Sequence, residues 1–189
     1  WDAFVAGHAD ATFFHRAGWK RAVETGMGHQ APFLMAESEG QVVGILPLVF
    51  INSRLFGKSL SSSAFCVYGG PLATDGEAHA ALDAAAIGWA EKNGAASLEY
   101  RHITRARPDG VCKQGAHATF RRAITDDPEK NLLAIPRKQR AVVRKSLGND
   151  LSVQLGRDAD VMHGLFATSV HNLGTPVFPK QWFRALLDV

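Results

Sequence analysis

Apolar residues recur along the chain in runs that switch between helical and extended spacing. From His15 to Thr25, Trp19, Ala22 and Val23 share one side and Gly26 follows, which predicts a helix stopped by glycine. Pro32–Glu37 and Val42–Ile51 are apolar runs separated by Ser38-Glu39-Gly40, a hairpin signal. The second run, V-V-G-I-L-P-L-V-F-I, contains Pro47, which predicts an edge strand or a bulge. Leu55–Pro71 is rich in Gly and Ser and ends F-C-V-Y-G-G-P, so it reads as a strand leading into a shaped loop. Thr74 and Glu77 have the T-x-x-E spacing of a capping box. They open an Ala-rich helix that runs through Leu82, Ala86, Trp89 and Ala90 to a stop at Gly94.

Ser97–Arg101 predicts a short strand, followed by a loop with Arg105, Arg107, Pro108 and Gly110. Ala116–Ile124 predicts another strand, and Asp127-Pro128 opens a helix as N-cap and first helical residue. Pro136 restarts the helix, and Gly148-Asn149-Asp150 ends it. Leu151–Leu155 alternates as a strand. Asp158 then caps a helix with Met162, Phe166, Val170 and Leu173 on one side, and Gly174 stops it. A last helix begins over Phe178–Leu187.

Strands and helices thus interleave around an early hairpin, which predicts an α/β (α+β) layer fold with a mixed central sheet. Two amphipathic helices follow Leu155 with few strands left to cover. We therefore expect residues 1–150 to form a first domain and 151–189 to start a second, whose sheet lies beyond Val189. The alternative is that these helices pack back on the first sheet.

Charge changes this picture. The segment Pro136–Leu147, P-R-K-Q-R-A-V-V-R-K-S-L, packs five cations into the nine residues Arg137–Lys145 with no acid among them. Arg137, Arg140 and Arg144 lie at i, i+3 and i+7, one stripe of a helix, flanked by Lys138 and Lys145. Like charges at that spacing repel by a few tenths of a kcal/mol per pair, roughly, so an anionic partner is the simplest compensation. Residues 101–145 hold twelve Lys/Arg against four Asp/Glu, whereas the rest of the chain holds nine against fourteen. The overall +3 therefore hides a basic block inside an acidic protein. A solvated helix face plus loop charges would also account for it.

No apolar run approaches the roughly 18 residues of a membrane span. The opening W-D-A-F has neither a basic leader region nor a Met, so no signal peptide is expected and the chain is expected to begin inside a longer product. Two lone cysteines, Cys66 and Cys112, make no disulfide framework and predict a reducing, cytoplasmic setting.

Common catalytic signatures are missing: there is no C-x-x-C, H-E-x-x-H, G-x-S-x-G or P-loop. The eight histidines share no helix metal spacing, and no metal site is expected. Ser61-Ser62-Ser63 reads as a flexible turn, with hydroxyls for a ligand as the other reading. Tyr68-Gly69-Gly70-Pro71 is either a place where backbone approaches a ligand closely or a plain turn. Leu98-Glu99-Tyr100-Arg101 puts Glu99 and Arg101 on one face of a strand, as a pair that orients a substrate or as an exposed ion pair of little energetic value.

Several of these segments carry a resemblance. P-R-K-Q-R-A-V-V-R-K-S-L resembles the basic helix of FemAB-like proteins, which reads K-x-R-x-x-I-R-K-A before a small-residue stop. L-E-Y-R resembles the L-E-L-R strand of that group, F-F-H-R-A-G-W its opening aromatic segment, and Y-G-G-P its mid-domain turn. The tail H-N-L-G-T-P-V-F-P-K-Q-W-F, His171–Phe183, is similar to a segment of the FemAB-related proteins associated with PEP-CTERM and exosortase systems. The pieces cover most of the chain in the family's order.

The resemblance implies a GNAT (N-acyltransferase) fold, usually in two tandem copies, and a transferase. Family members of known activity move an amino acid from aminoacyl-tRNA to an amine of a peptidoglycan precursor, and relatives use other acyl donors. The implied setting is cell-envelope, peptidoglycan or exopolysaccharide metabolism. The implied donor is aminoacyl-tRNA or acyl-CoA, with no firmly bound cofactor. R-A-R-P-D-G-V at 105–111 departs from the Arg/Gln-x-x-Gly-x-Gly/Ala pyrophosphate loop of acetyl-CoA users. On this reading Arg137, Lys138, Arg140 and Arg144 meet the phosphates of tRNA, CoA or a nucleotide-sugar precursor. Tyr68 and Arg101 shape the acceptor pocket. Glu99 and His102 are the candidate proton acceptors, chosen by position alone. Peripheral association with envelope-assembly machinery is also implied. The competing class is a non-catalytic anion- or nucleic-acid-binding module that uses the basic helix 137–145.

Overall fold

A computed structural model describes residues 1–102, 110–113 and 118–189. The chain divides into two compact units, Trp1–Pro108 with Arg157–Val189, and Asp109–Gly156. The first contains a mixed sheet with helices on both faces.

In unit 1 the central strand is β2 (Gln41–Ser53), paired antiparallel with β1 (Phe33–Ser38). Their two-residue turn, Glu39-Gly40, has both φ angles positive, the conformation that matches strand twist in a tight hairpin. β2 also pairs antiparallel with β3 (Gly57–Ser62) and, nearer its start, with β4 (Leu72–Ala73). β3 in turn pairs parallel with β5 (Leu98–Glu99). Pro47 therefore lies in an interior strand, not at the expected edge. The reason is local: the Leu48 and Phe50 N–H groups donate toward Pro32 and Gln30, so the Pro47 nitrogen faces the other side. There the partner changes from β4, at Gly44 and Ile45, to β3, from Leu48 onward. The missing donor falls in that gap.

Both faces of β2 are buried, which explains its nearly continuous apolar run. Leu46, Leu48 and Phe50 pack with Leu60 against Leu82, Ala86 and Ala90 of α3 (Gly76–Lys92). Val49, on the opposite face, packs with Trp19, Ala22 and Val23 of α2 (Ala17–Met27). Trp182 and Ala185 of α7 (Lys180–Leu187) join that cluster. A short α1 (Asp2–Gly7) adds Val5 against Ile45 and Leu72. Gly26 does not end α2. It is the point where α7 crosses, a Cβ there lying 2.9 Å from the Trp182 Cα, and the helix stops at left-handed Gly28. α3 is capped by Asp75, whose carboxylate accepts from the Ala78 N–H, and not by Thr74, which bonds Asp75 and Val43 instead. α6 (Ala159–Asn172) is capped by Asp158 and ends before left-handed Gly174, as expected, but Met162 and Leu173 of its apolar stripe stay exposed.

In unit 2, Asp127 caps α4 (Pro128–Leu133) through the Glu129 and Lys130 N–H groups. α5 (Arg137–Leu147) follows from Pro136. The expected strand at Ala116–Ile124 is not formed over 118–124; Ala116 and His117, like Arg105, Arg107 and Pro108 of the preceding loop, lie outside the described residues. Leu151–Leu155 alternates in sequence but forms no strand, because among the described residues no neighbouring strand supplies hydrogen bonds, and its Leu and Val side chains are exposed.

Candidate functional site

The regular β3–β5 ladder ends at Ser61 and Glu99. The crevice beyond strand carboxyl ends is where open α/β sheets place their ligands. Glu99 ends β5, and Tyr68, Arg101 and His102 lie beyond the two strands. The Ser62 hydroxyl continues the pairing by accepting from the Arg101 N–H at 2.8 Å. Arg101 then organises the turn 63–70. Its Nη1 donates to the Cys66 carbonyl at 3.0 Å, and its own carbonyl accepts from the Gly69 N–H at 2.9 Å. Its Nε donates to Glu99 at 2.7 Å.

The same turn carries backbone strain. Ser63 and Phe65 both have positive φ, uncommon for non-glycine residues and costing on the order of 1–3 kcal/mol each. Phe65 is held by rings: His29 stacks on it at 5.6 Å, and Trp182 lies 5.9 Å away. Ser61, Ser62 and Ser63 are buried rather than a flexible turn, and the Ser63 hydroxyl donates to the Gly69 carbonyl. Glycine at 69 and 70 is required by packing. A Cβ at Gly69 would lie 1.9 Å from Ser63 Oγ, and one at Gly70 2.3 Å from His102 Nδ1. Tyr68 lies edge-on to Phe14 at 6.2 Å. Burial pushes the Cys66 thiol up to about 12, so it is not a nucleophile at neutral pH.

His15 was not singled out by the sequence. It is buried, and its Nδ1 accepts from the Thr12 N–H at 3.1 Å, which leaves the ring proton on Nε2 to donate to the Gly70 carbonyl at 2.9 Å. The Thr12-x-x-His15 capping-box spacing was the signal that could have found it. Gly70 therefore sits between two imidazoles. Burial lowers the pKa of both; for His102 the nearby His79 adds to this and Asp83 opposes it. His102 Nε2 is shielded from solvent and has no hydrogen-bond partner among the described residues. The Glu99 carboxylate, by contrast, is exposed and held by Arg101. Among the described residues, no three His, Cys, Asp or Glu side chains are grouped to hold a metal ion.

In unit 2 the basic stripe divides by role. Arg140 folds back on the α4–α5 joint, its Nη2 donating to the Leu133 and Ile135 carbonyls at 2.9 and 3.0 Å. Arg144 meets Glu129 at 3.6 Å, an exposed pair of little energetic value. Arg137, Lys138 and Lys145 are exposed and form no ion pair among the described residues. Arg137 and Lys138 also oppose the positive end of the helix dipole, so the α5 N-terminus concentrates positive potential.

No model of a known protein family matches the chain, and no curated protein matches it by sequence. Among solved structures, the crystal structure of FemX matches with a TM-score of 0.57 and 17% identity, over 99% of this chain and 52% of that one. The chain thus spans about half the length of the FemX chain. No helix among the described residues is long and apolar enough to cross a membrane. The mixed sheet, its flanking helices and this likeness together give the chain a FemX-type, GNAT-like fold.

Proposed function

We propose that the protein is an N-acyltransferase or aminoacyltransferase that moves an acyl or aminoacyl group to an amine acceptor in cell-envelope metabolism. The observation that carries this reading is a FemX-type fold with a half-buried His102, its pKa lowered by desolvation, just beyond the carboxyl end of β5. In the reaction the amine lone pair attacks the donor carbonyl. The new C–N bond forms, the ester C–O or thioester C–S bond breaks, and the ammonium proton passes to a base while the leaving group takes the electron pair. His102 is the proton acceptor in this scheme. Arg101 acts through the turn it holds, and Tyr68 lines the acceptor side. Arg137, Lys138 and Arg144 grip the phosphates of tRNA, CoA or a nucleotide-sugar carrier; Arg140 supports them by fixing the joint. Positioning of both substrates supplies several kcal/mol, roughly, of the barrier, so few essential side chains are needed.

The tandem organisation belongs to the same proposal, with a second GNAT-like unit opening near Leu151; the 52% coverage of FemX supports it. The exosortase-associated, exopolysaccharide setting rests on the tail motif His171–Phe183. The second reading, an anion-binding module without catalysis, is favoured by the outward cations of α5 alone. Purified protein incubated with labelled aminoacyl-tRNA or acyl-CoA and amino-sugar or peptide acceptors separates the two. Transfer predicts a new amide. Salt-sensitive donor binding with no amide under any pairing supports the binding module.

A further inference from the structure

The tip of the β2–β3 hairpin in unit 1 carries side chains that the fold does not use. The last pair of the ladder is Ser53 and Gly57, and Arg54-Leu55-Phe56 forms the turn beyond it. Ser53 Oγ accepts from the Leu55 and Phe56 N–H groups at 3.2 and 3.1 Å, and Gly57 takes a positive φ, so the turn is fixed through backbone and Ser53. Neither apolar side chain is needed for that, yet Leu55 is 81% exposed and Phe56 87%. Neither belongs to a core cluster, and Phe56 makes no ring contact among the described residues. Standing beyond the ladder, both are clear of the two packed faces of the sheet. Charge is concentrated at the same place. From Gly40 to Thr74 the only charged residues are Arg54 and Lys58, one on each side of the apolar pair. Both are exposed, and neither meets a carboxylate among the described residues. Lys58 Nζ donates to the Asn93 carbonyl just past α3. The end of α3 carries one acid and one base, Glu91 and Lys92, and leaves the balance positive.

Single exposed apolar residues are ordinary, and a tight turn favours Gly, Asn, Asp or Ser. Two large apolar neighbours at a tip, flanked by two cations, point to a partner that offers both chemistries. A convex tip of two side chains offers on the order of 300 Å², well under the roughly 800 Å² per partner of a specific protein interface. A nucleic-acid strand would use Phe56 and leave Leu55, which has no ring face for a base. An anionic bilayer asks for no matching surface. Its acyl boundary takes both apolar side chains, and its head groups meet the flanking cations. We infer that the β2–β3 hairpin tip anchors the protein on an anionic lipid bilayer, with Leu55 and Phe56 entering the acyl boundary and Arg54 and Lys58 at the head groups. This inference does not depend on the transfer reading, and it uses none of the cations assigned to the anionic carrier.

Sedimentation of the purified protein with vesicles in large lipid excess tests it. Binding is expected to be stronger to phosphatidylcholine vesicles containing phosphatidylglycerol than to phosphatidylcholine alone, and to weaken severalfold between about 50 and 500 mM salt. Leu55→Ser with Phe56→Ser should lower the partitioning about tenfold, at an unchanged melting temperature because neither side chain is buried. Arg54→Glu should lower it a few-fold, roughly, and Phe56→Trp should raise it. No binding at low salt overturns the inference. So does binding that the double serine variant leaves unchanged, which would place the contact on another surface. Binding of a single-stranded oligonucleotide that Phe56→Ser abolishes and Leu55→Ser leaves intact also overturns it, because the tip would then be a stacking site. A dimer split by the double serine variant does the same, because a second copy would then cover the tip.

Discussion

In unit 1 the polar atoms around the candidate site reach for backbone. Arg101 bonds the Cys66 carbonyl, Ser63 the Gly69 carbonyl and His15 the Gly70 carbonyl, all within one turn. In unit 2, Arg137, Lys138 and Lys145 are exposed, while Arg140 is tied to backbone at the α4–α5 joint. The first arrangement fixes a shape; the second leaves charge available. On the proposed reading the fixed turn serves the reacting groups and the free charge serves an anionic carrier. Burial divides the two regions in the same way: the β2 core is closed on both faces, whereas Phe120, Ile124 and Leu147 lie open.

The sharpest way to break this contrast is at the glycine turn. Gly69→Ala forces a Cβ into buried Ser63, which has no room to yield, and should destabilise unit 1 by about 3 kcal/mol or more in urea unfolding. Gly26→Ala, which meets the Trp182 backbone, should cost about 1–3 kcal/mol and loosen α7 from α2, seen as faster amide exchange in Lys180–Leu187.

A pH series sharpens it further. His15 and His102 are held below the ordinary 6.5 by burial, so each takes up a proton on unfolding. Their contribution to stability is complete above pH 6.5 and falls as pH drops toward the folded-state values. Each should add a slope of up to about 1.4 kcal/mol per pH unit in that window. His15→Gln, which keeps a donor for Gly70, should flatten the slope. An unchanged slope would exclude His15 as its source.

In unit 2 the effects should be smaller. Arg140→Ala, which removes the bonds to Leu133 and Ile135, should cost about 1–2 kcal/mol of local stability, read as faster exchange in Arg137–Leu147. Arg137→Ala should stay within about 0.5 kcal/mol. Equal effects would erase the division between the joint and the outward cations.

Local chemistry made much of the fold legible. Glu39-Gly40, Asp127-Pro128, Asp158 and Gly174 mark their boundaries through φ preference or capping, which depend only on near neighbours. What stayed hidden depends on distant partners. Gly26 reads as a stop until α7 is seen to cross it, and Pro47 reads as an edge until the gap between β3 and β4 is known. Arg101 looked like half of a surface pair because Cys66 is 35 positions away. The stripe Arg137, Arg140, Arg144 was visible, but the diversion of Arg140 to the α4–α5 joint was not, since spacing does not say where a guanidinium turns.

Amide formation by the purified protein, followed with labelled aminoacyl-tRNA or acyl-CoA and an amine acceptor, is the decisive experiment. Wild type should give product, and Arg137→Ala with Lys138→Ala should raise the donor KM about tenfold with kcat little changed, since each lost phosphate contact weakens donor binding. His102→Ala should lower kcat by about 100-fold or more. Product formed equally well by the His102 and Arg137/Lys138 variants would contradict both assigned roles, and no product with any donor–acceptor pair would contradict the transferase itself.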